Sequence, residues 1–423
     1  MVSRLESTSQ SYEFFNIGVE NTFRAVSGDT LGAMRRLMAL LVLAHVALTP
    51  ATAFAADVSW EQWRAFAGVF DVDGPRTDGS LVVAGSAALY LVDPAGTAIP
   101  FARGPGGYHE DPGAEAYLAL SRGGHVAAAN CDFAPDETYL LRLHVPIGIN
   151  RVNAAGDESG SFVNLTGVTS LGGITFDTTG TFDHRLLVSG SSGGKTVIFA
   201  IDCTGAVQAI TRSAPALEGG LAVAPSGFGS FGGALIAPDE LSGKIYAIAP
   251  NGAVSQVAQP SLPTGGDIGV ESVGFVPPGM ITRGGAAYYA DRISAGNPHP
   301  GTDSLLRLTS AQLEAAGVQE GDMLVATEGG AGLIAVRCEA ACTVIPVVAA
   351  GPKAHGEGHI AFTVEAPPPS PVAATPRVTP GVALPPQLVA FIGEWGIPTT
   401  ALVLLLALVA AVAVPAAMRR RRR

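Results

Sequence analysis

The sequence predicts an all-β fold made of many short strands. Apolar runs of about four to eight residues fill the middle of the chain, and each ends at Gly, Asp, Asn or Pro, as strands joined by tight turns do. A unit of four such runs recurs about every 45 to 55 residues, the length of one β-propeller blade. Residues 56–365 hold roughly six such units, and closing them into a ring hides strand edges. We therefore expect a six-bladed β-propeller.

The individual strands follow from these apolar runs, with one helical interruption. The predicted helix covers residues 310–316, with Ser310 as its N-cap and Gly317 as its stop. The alternatives are a pair of β-sandwiches or a β-helix, but tandem sandwiches would show a break in composition near the middle, and the sequence shows none. The clearest predicted strands cover residues 80–84, 88–92, 138–144, 185–188, 196–201, 234–237 and 244–249.

The repeated unit is clearest in residues 218–258, which contain four strands. The last two are joined at Asn251-Gly252, a strong signal for a two-residue hairpin. A second unit begins at Glu271 and is expected to continue through residues 286–291 and 304–308. Other units begin at Gly172, at Glu115 and, as a last fragment, at Glu357.

One strand pair in this unit resembles a blade of known propellers. Residues 233–239 and 243–252 are similar to blades of the NHL-repeat and SMP-30/gluconolactonase-like six-bladed propellers, in which an apolar strand ends in Asp and a basic residue with Ile opens the next strand. Residues 289–293 carry the same pattern. The resemblance covers about half of the predicted propeller and implies the fold rather than an activity.

The amino end predicts export. Residues 34–55 form a signal peptide, with the basic pair Arg35-Arg36, an apolar run and a small-residue cleavage site after Ala55. Residues 1–33 are then a pre-region or a misassigned start, with translation beginning at Met34.

The carboxyl end predicts a membrane anchor. Residues 366–390 are a Pro-rich stalk, and residues 391–418 are a membrane helix with its lead-in. The apolar run from Thr399 to Met418 is long enough to cross a hydrocarbon core of about 30 Å. The arginines 419–423 are expected in the cytoplasm, so the propeller lies outside a cell membrane that is expected to be prokaryotic.

The same tail resembles prokaryotic sorting tails of the IPTL-CTERM type. These carry a short motif with Glu-Trp-Gly, one apolar helix and an arginine cluster, and residues 394–396 supply that motif here. Ile397-Pro398 follows the motif instead of preceding it, so processing by a sorting enzyme stays open.

The charge of the chain excludes one class of partner. The net charge is −11, and without the five terminal arginines residues 1–418 carry −11 − 5 = −16. An acidic exported domain with few lysines is not a nucleic-acid binder, and its carboxylates suit the binding of cations.

Four cysteines lie in the exported part, which predicts two disulfides. Cys338 and Cys342 would close a hairpin tip, leaving Cys131 with Cys203, although four cysteines allow three connectivities. A metal site at Cys338 and Cys342 is the alternative, with no further soft ligand nearby in sequence.

Four carboxylates open predicted blades: Glu115, Glu218, Glu271 and Glu357. The innermost strand of a blade lines the central channel, so these side chains are expected to form an acidic ring at one mouth. Like charges that meet need a cation or raised pKa values, and calcium is the natural guest. The SMP-30 resemblance implies a metal at that place. The alternative is that each glutamate accepts bonds from nearby backbone N–H groups.

The segment from His355 to His359 is the sharpest local constellation. Strand alternation would put His355, Glu357 and His359 on one face, as half of a site for zinc or another transition metal. The glycines between them fit a flexible turn equally well.

No residue is identified as catalytic. Residues 190–194 match a nucleophile elbow only in letters, because a strand rather than a helix follows them. The leading interpretation is a membrane-anchored surface propeller that binds a ligand or partner protein. The alternatives are a Ca- or Zn-dependent lactonase with Glu218, Glu271 and Glu357 on the ion, and a passive envelope scaffold.

Overall fold

The computed structural model describes residues 58–85, 88–104, 107–108 and 115–367, and their fold is all-β. The strands are β1 (Glu61–Ala65), β2 (Val69–Asp73), β3 (Leu81–Gly85), β4 (Ala88–Val92), β5 (Ala98–Phe101), β6 (Leu118–Val126), β7 (Cys131–Arg142), β8 (Gly148–Val152), β9 (Ser159–Asn164), β10 (Ser170–Phe176), β11 (Leu186–Ser192), β12 (Lys195–Ile201), β13 (Val207–Ala214), β14 (Ala222–Val223), β15 (Leu235–Asp239), β16 (Lys244–Ile248), β17 (Val254–Ala258), β18 (Val270–Phe275), β19 (Gly285–Asp291), β20 (Ser304–Thr309), β21 (Met323–Thr327), β22 (Leu333–Cys338), β23 (Cys342–Val348) and β24 (Gly356–Val364).

These strands form six four-stranded antiparallel sheets, which are the six blades of a propeller. Blades 1 to 4 are the consecutive quartets β2–β5, β6–β9, β10–β13 and β14–β17. The first strand of each blade contacts the first strand of a neighbouring blade, so these inner strands surround a central channel. The predicted six-bladed propeller is confirmed, and the sandwich and β-helix alternatives are wrong.

Blades 5 and 6 are interleaved in sequence, which the repeat pattern did not predict. Strand β18 is the inner strand of blade 5, but the chain then builds β19 and β20 into blade 6 before it returns to blade 5 with β21, β22 and β23. The expected unit that ran from Glu271 through residues 286–291 and 304–308 is therefore wrong. The connection contains the short helix Met280–Arg283, which carries the chain to the next blade instead of turning it back.

The ring closes through the two ends of the described chain. Strand β24 is the inner strand of blade 6 and β1 is its outermost strand, so blade 6 combines the first and last strands of the described residues. Strand pairing within blade 6 therefore ties the start of the described chain to its end and holds the ring closed.

The core lies between the faces of neighbouring blades. Most strand residues are buried on both sides, as in β3 and β21, where every residue is buried. One apolar cluster joins blades 1, 2 and 3, and separate clusters fill the remaining contacts between blades around the ring. This two-sided burial explains why the strands read as continuous apolar runs.

Both predicted disulfides are present. Cys131 pairs with Cys203 and so joins blade 2 to blade 3, while Cys338 pairs with Cys342 across the β22–β23 hairpin. The metal alternative for the second pair is wrong.

The predicted helix is observed as Ser310–Ala315, but its N-cap is Thr309 rather than Ser310. The Thr309 hydroxyl accepts a bond from the backbone N–H of Gln312, and the Gln312 side chain accepts one from the Thr309 N–H, which makes a capping box.

The terminal predictions fall largely outside the described residues. The signal peptide, the stalk after residue 367, the membrane run and the arginine cluster all lie there. Within the described ranges no helix is long and apolar enough to span a bilayer. The chain divides between Val364 and Glu365 into two units, and all 24 strands belong to the first.

Candidate functional site

The carboxylates that open the predicted blades lie at one mouth of the channel, which we call the acidic mouth. Glu115 precedes β6, Glu218 precedes β14, and Glu271 and Glu357 are the second residues of β18 and β24. All six inner strands begin at this end. Glu271 and Glu357 are buried, Glu115 is partly exposed and Glu218 is exposed, so two carboxylates form the floor of the mouth and two its rim.

A β-bulge places Glu271 in the channel. The pairing of β18 with β21 shifts register between Val270 and Ser272, so Glu271 is the extra residue. A bulge re-aims a side chain relative to a regular strand. Here the Glu271 carboxyl meets the Tyr117 hydroxyl of blade 2 at 3.0 Å.

Tyr117 links the two buried glutamates across the channel. Its hydroxyl lies 2.7 Å from Glu357 Oε2 as well as 3.0 Å from Glu271 Oε1. A phenol has one proton to donate, so only one of these carboxyls accepts from it and the other must carry a proton of its own. Burial first, then the charge of Glu357, raises the pKa of Glu271 well above its ordinary range, which assigns that proton to Glu271.

Arg292, directly after β19, is the main cation of the mouth. Its Nη1 bonds to Glu115 and lies 3.1 Å from Glu357 Oε1. Its positive charge thus partly offsets the negative charges of one rim carboxylate, Glu115, and one floor carboxylate, Glu357. Burial and the charge of Glu357 still raise the pKa of Glu115 to about 7, so this single guanidinium does not balance the site.

His355 and Glu357 form a three-residue group with Glu328, which directly follows β21. His355 Nε2 lies 2.9 Å from Glu328 Oε1 and 3.7 Å from Glu357 Oε1. One possible ligand atom from each of the three residues lies within 4.8 Å of the other two. The Asp291 carboxylate accepts a bond from the His355 backbone N–H at 2.8 Å and so fixes this segment. One imidazole and two carboxylates suit a zinc or similar ion.

His359 does not join this group, so the prediction that three side chains share one face is wrong. Gly358 has a φ of +69°, and the β19–β24 pairing shifts register here, so strand alternation fails between Glu357 and His359. His359 Nδ1 instead bonds Asp71 Oδ1 of blade 1 at 3.0 Å, and its Nε2 lies 2.7 Å from the Ile174 carbonyl oxygen. Both ring nitrogens are therefore engaged, and His359 crosses the channel below the mouth, at what we call the waist.

Four residues of the mouth were missed from the sequence: Tyr117, Glu240, Arg292 and Glu328. Three of them directly follow the second strand of a blade, namely β15, β19 and β21. Second strands run antiparallel to inner strands and so end where inner strands begin. The sequence did contain a signal for Glu240 and Arg292. Strands β15 and β19 end in Asp, as in the blades that residues 233–252 and 289–293 resemble, and each of these two residues directly follows that Asp.

The mouth carries more negative charge than its own cations offset. Burial, followed by the neighbouring Glu328, raises the pKa of Glu240 to about 9. Burial opposes protonation of His355, but hydrogen bonding and the charges of Glu328 and Glu357 raise its pKa to about 9. Every shift named here favours uptake of protons, because protonation lowers the negative charge that these buried carboxylates share.

Buried polar atoms around the mouth also lack partners. His355 Nδ1 and the Tyr289 hydroxyl are buried and have no hydrogen-bond partner among the residues that the structure describes. The Tyr289 ring and hydroxyl lie against Gly356, which directly precedes Glu357, so the hydroxyl is beside the floor. Buried polar groups in native proteins are generally hydrogen-bonded, so these two atoms are available to an ordered water or a ligand.

Comparison with known proteins finds similarity among solved structures. No protein-family profile matches the chain, and no curated protein sequence does. The similar solved structures include virginiamycin B lyase from Staphylococcus aureus, at 12% identity and a TM-score of 0.36, covering 69% of this chain and 87% of that one. A putative gluconolactonase is similar at 11% identity and a TM-score of 0.40, covering 71% and 83%. At these identities and TM-scores, neither likeness carries an argument about the activity of this chain.

Proposed function

We propose that this propeller binds a cation, or a ligand that presents a cationic group, at its acidic mouth. The observation that carries the proposal is the meeting of Glu271, Glu357 and Glu328 with an incomplete set of countercharges. Buried carboxylates that share one space are costly unless they are protonated or paired. A bound cation would replace the protons that the mouth otherwise takes up.

We further propose that the propeller is displayed outside a cell membrane. This part rests on the sequence alone, on the signal peptide of residues 34–55 and the apolar run from Thr399 to Met418. In this arrangement the protein acts through what its mouth binds, either a free ligand or a group on a partner protein.

A second candidate function is a metal-dependent hydrolase of the lactonase type. The observation that favours it is the Glu328, His355 and Glu357 group, whose ligand atoms lie close enough to share one ion. A metal held there would polarise a carbonyl group. Glu218 and Glu271, which the sequence placed on the ion, lie in the same mouth but outside this group, while Arg292 and Tyr117 would orient a substrate.

The test of the proposal is direct binding to the purified protein after treatment with a chelator. Calcium, zinc and the organic dication putrescine would each be titrated by calorimetry and by thermal unfolding. At a concentration of about 100 times the dissociation constant, a bound cation stabilises the fold by about 2.7 kcal/mol. Glu357→Gln should remove the effect, while Glu158→Gln, a carboxylate in the β8–β9 connection of blade 2, should retain it.

The outcomes separate the candidates. Binding of at least one of these cations that depends on Glu357 supports the proposal, and hydrolysis of a simple lactone by the metal-loaded protein would favour the second candidate. If none of the three cations binds or stabilises the protein, the proposal is wrong and a scaffold role becomes the better interpretation.

A further inference from the structure

The half of the channel below the waist is a separate cavity. Its volume is about 420 Å³, and all six blades contribute to its wall. The lining comes from the middle and carboxyl ends of the inner strands, the opposite end from the acidic mouth. None of the carboxylates of the mouth lines it.

The waist closes this cavity at its inner end. His359 spans from blade 6 to Asp71 of blade 1 and to the Ile174 carbonyl of blade 3. The Tyr117 ring of blade 2 lies edge-on to His359 at 6.4 Å between ring centroids. These groups contact one another across the axis, so the waist lies between the cavity and the acidic mouth.

The wall of the cavity is mainly apolar. Its large side chains come from blades 3, 5 and 6 and include Phe176, Phe275 and Phe362, with Val223 of blade 4 between them. Phe275 and Phe362 remain partly exposed although they lie on inner strands. Concave apolar surface of this volume is typical of pockets for small molecules.

The polar groups at the cavity decide the charge of its occupant. His359 lines the cavity but pairs with Asp71, and Arg122, also on the described lining, already bonds the Gly74 and Pro75 carbonyls and lies 3.5 Å from Asp73. Both charges are thus offset, so an anion gains little there. The Thr175 and Thr178 hydroxyls are at least partly exposed and are left to hydrogen-bond a ligand.

We propose that this cavity is a second binding site, for a small, uncharged and mainly apolar molecule that carries a hydrogen-bonding group. Burial of apolar surface against the aromatic wall supplies the affinity, and the threonine hydroxyls orient the polar group. The site is independent of the cation proposed for the acidic mouth, because the waist lies between them.

Photolabelling with benzophenone tests this proposal. Benzophenone is uncharged, has two apolar rings and one carbonyl acceptor, and on irradiation attaches to the side chains that surround it. The full-length protein would be irradiated with it, digested, and its labelled residues identified by mass spectrometry. We expect adducts on the cavity wall, at Phe176, Val223 or Phe275.

Two variants that fill the cavity provide the comparison. Ala222→Trp and Thr175→Trp place an indole at partly exposed lining positions, and each should lower labelling of the wall by about tenfold or more. Ser213→Trp, on the exposed outer strand β13, is the matched control and should leave labelling unchanged. Unchanged melting temperatures show which variants are folded.

The labelling experiment can either support or overturn the proposed site. Labelling of the wall that either folded variant removes and the control retains supports the site. Labelling that is absent from the wild-type wall, or that persists in both folded variants, overturns it. Addition of calcium, zinc or putrescine should not alter the labelling, so failure of this proposal is distinguishable from failure of the cation site.

Discussion

The substitution His359→Gln tests the electrostatics of the waist. His359 is buried, and its imidazole lies 3.0 Å from Asp71 Oδ1. Burial alone lowers the pKa of His359, but the charge and hydrogen bond of Asp71 outweigh it and raise that pKa to about 9 from the ordinary 6.5. Asp73 and the Ile174 carbonyl act in the same direction.

The size of the effect follows from this shift. A difference of about 2.5 pKa units, at 1.36 kcal/mol for each unit, corresponds to about 3 kcal/mol of folding free energy. Because the folded-state pKa is raised, the folded protein binds the proton more tightly than the unfolded chain. The contribution is therefore fully present below about pH 6.5 and is lost as pH rises through about 9.

The assay is urea unfolding of the wild type and the variant at about pH 6 and about pH 10. Glutamine cannot be protonated, so the wild type should exceed the variant by about 3 kcal/mol more at the lower pH than at the higher one. Comparing the two proteins removes the pH dependence of His355 and of the mouth carboxyls, which both share.

The matched control is His125→Gln. His125 Nδ1 also lies 3.0 Å from a carboxylate, that of Asp132, but both side chains are more than half exposed. Solvent screens such a pair, so the folding free energies of the wild type and His125→Gln should differ by less than about 1 kcal/mol at each pH. If the His359 difference is the same at both pH values, or no larger than that of the control, the assignment of a charged imidazole at the waist is refuted.

Three further predictions concern stability and are all measured by urea unfolding. A disulfide stabilises mainly by restricting the unfolded chain, and the effect grows with the length of the loop that it closes. Replacing both cysteines of the Cys131–Cys203 disulfide, which are 72 residues apart, should therefore cost about 4 kcal/mol of folding free energy, and replacing both cysteines of the Cys338–Cys342 disulfide, which are 4 apart, about 2 kcal/mol. Equal losses would contradict this dependence on loop length. Gly358→Ala should cost about 2 to 4 kcal/mol, because φ is +69° and the added Cβ would lie 2.2 Å from an Asp71 carboxylate oxygen; a neutral result would show that the waist relaxes. Arg292→Met should cost about 1 to 3 kcal/mol at about pH 8 and less at about pH 5, where Glu115, whose pKa burial and the charge of Glu357 raise to about 7, takes up a proton; a cost that does not change with pH would mean that the guanidinium acts by packing.

Much of the fold was predictable because it depends on local pattern. Blades 1 to 4 are consecutive in sequence, and strand spacing and turn residues such as Asn251-Gly252 located blades 2, 3 and 4. The crossing between blades 5 and 6 was not predictable, since β19 has the same apolar character whether it pairs with β18 or with β24. Pairing partners of buried strands are chosen by tertiary packing, which a repeat pattern does not encode.

The residues of the candidate site were likewise predictable only where their position depends on local pattern. Glu115, Glu218, Glu271 and Glu357 could be placed at one mouth because each opens an inner strand, and all inner strands begin at the same face. His359 could not be placed correctly, because its direction depends on the positive φ of Gly358 and the register shift beside it. A single bulge moves every later side chain of the strand to the other face.

That bulge also explains how one channel holds two different environments. With regular alternation His359 would face the acidic mouth and add a base to the Glu328, His355 and Glu357 group. The shift at Gly358 instead lets His359 bond Asp71 and Ile174 and so closes the axis. This closure uses charged and hydrogen-bonded groups from blades 1, 3 and 6, and it lies between the carboxylates of the mouth and the aromatic wall below. Each buried polar group of the waist has a partner, which is how a charged pair can be held in the middle of a channel whose lower wall is apolar.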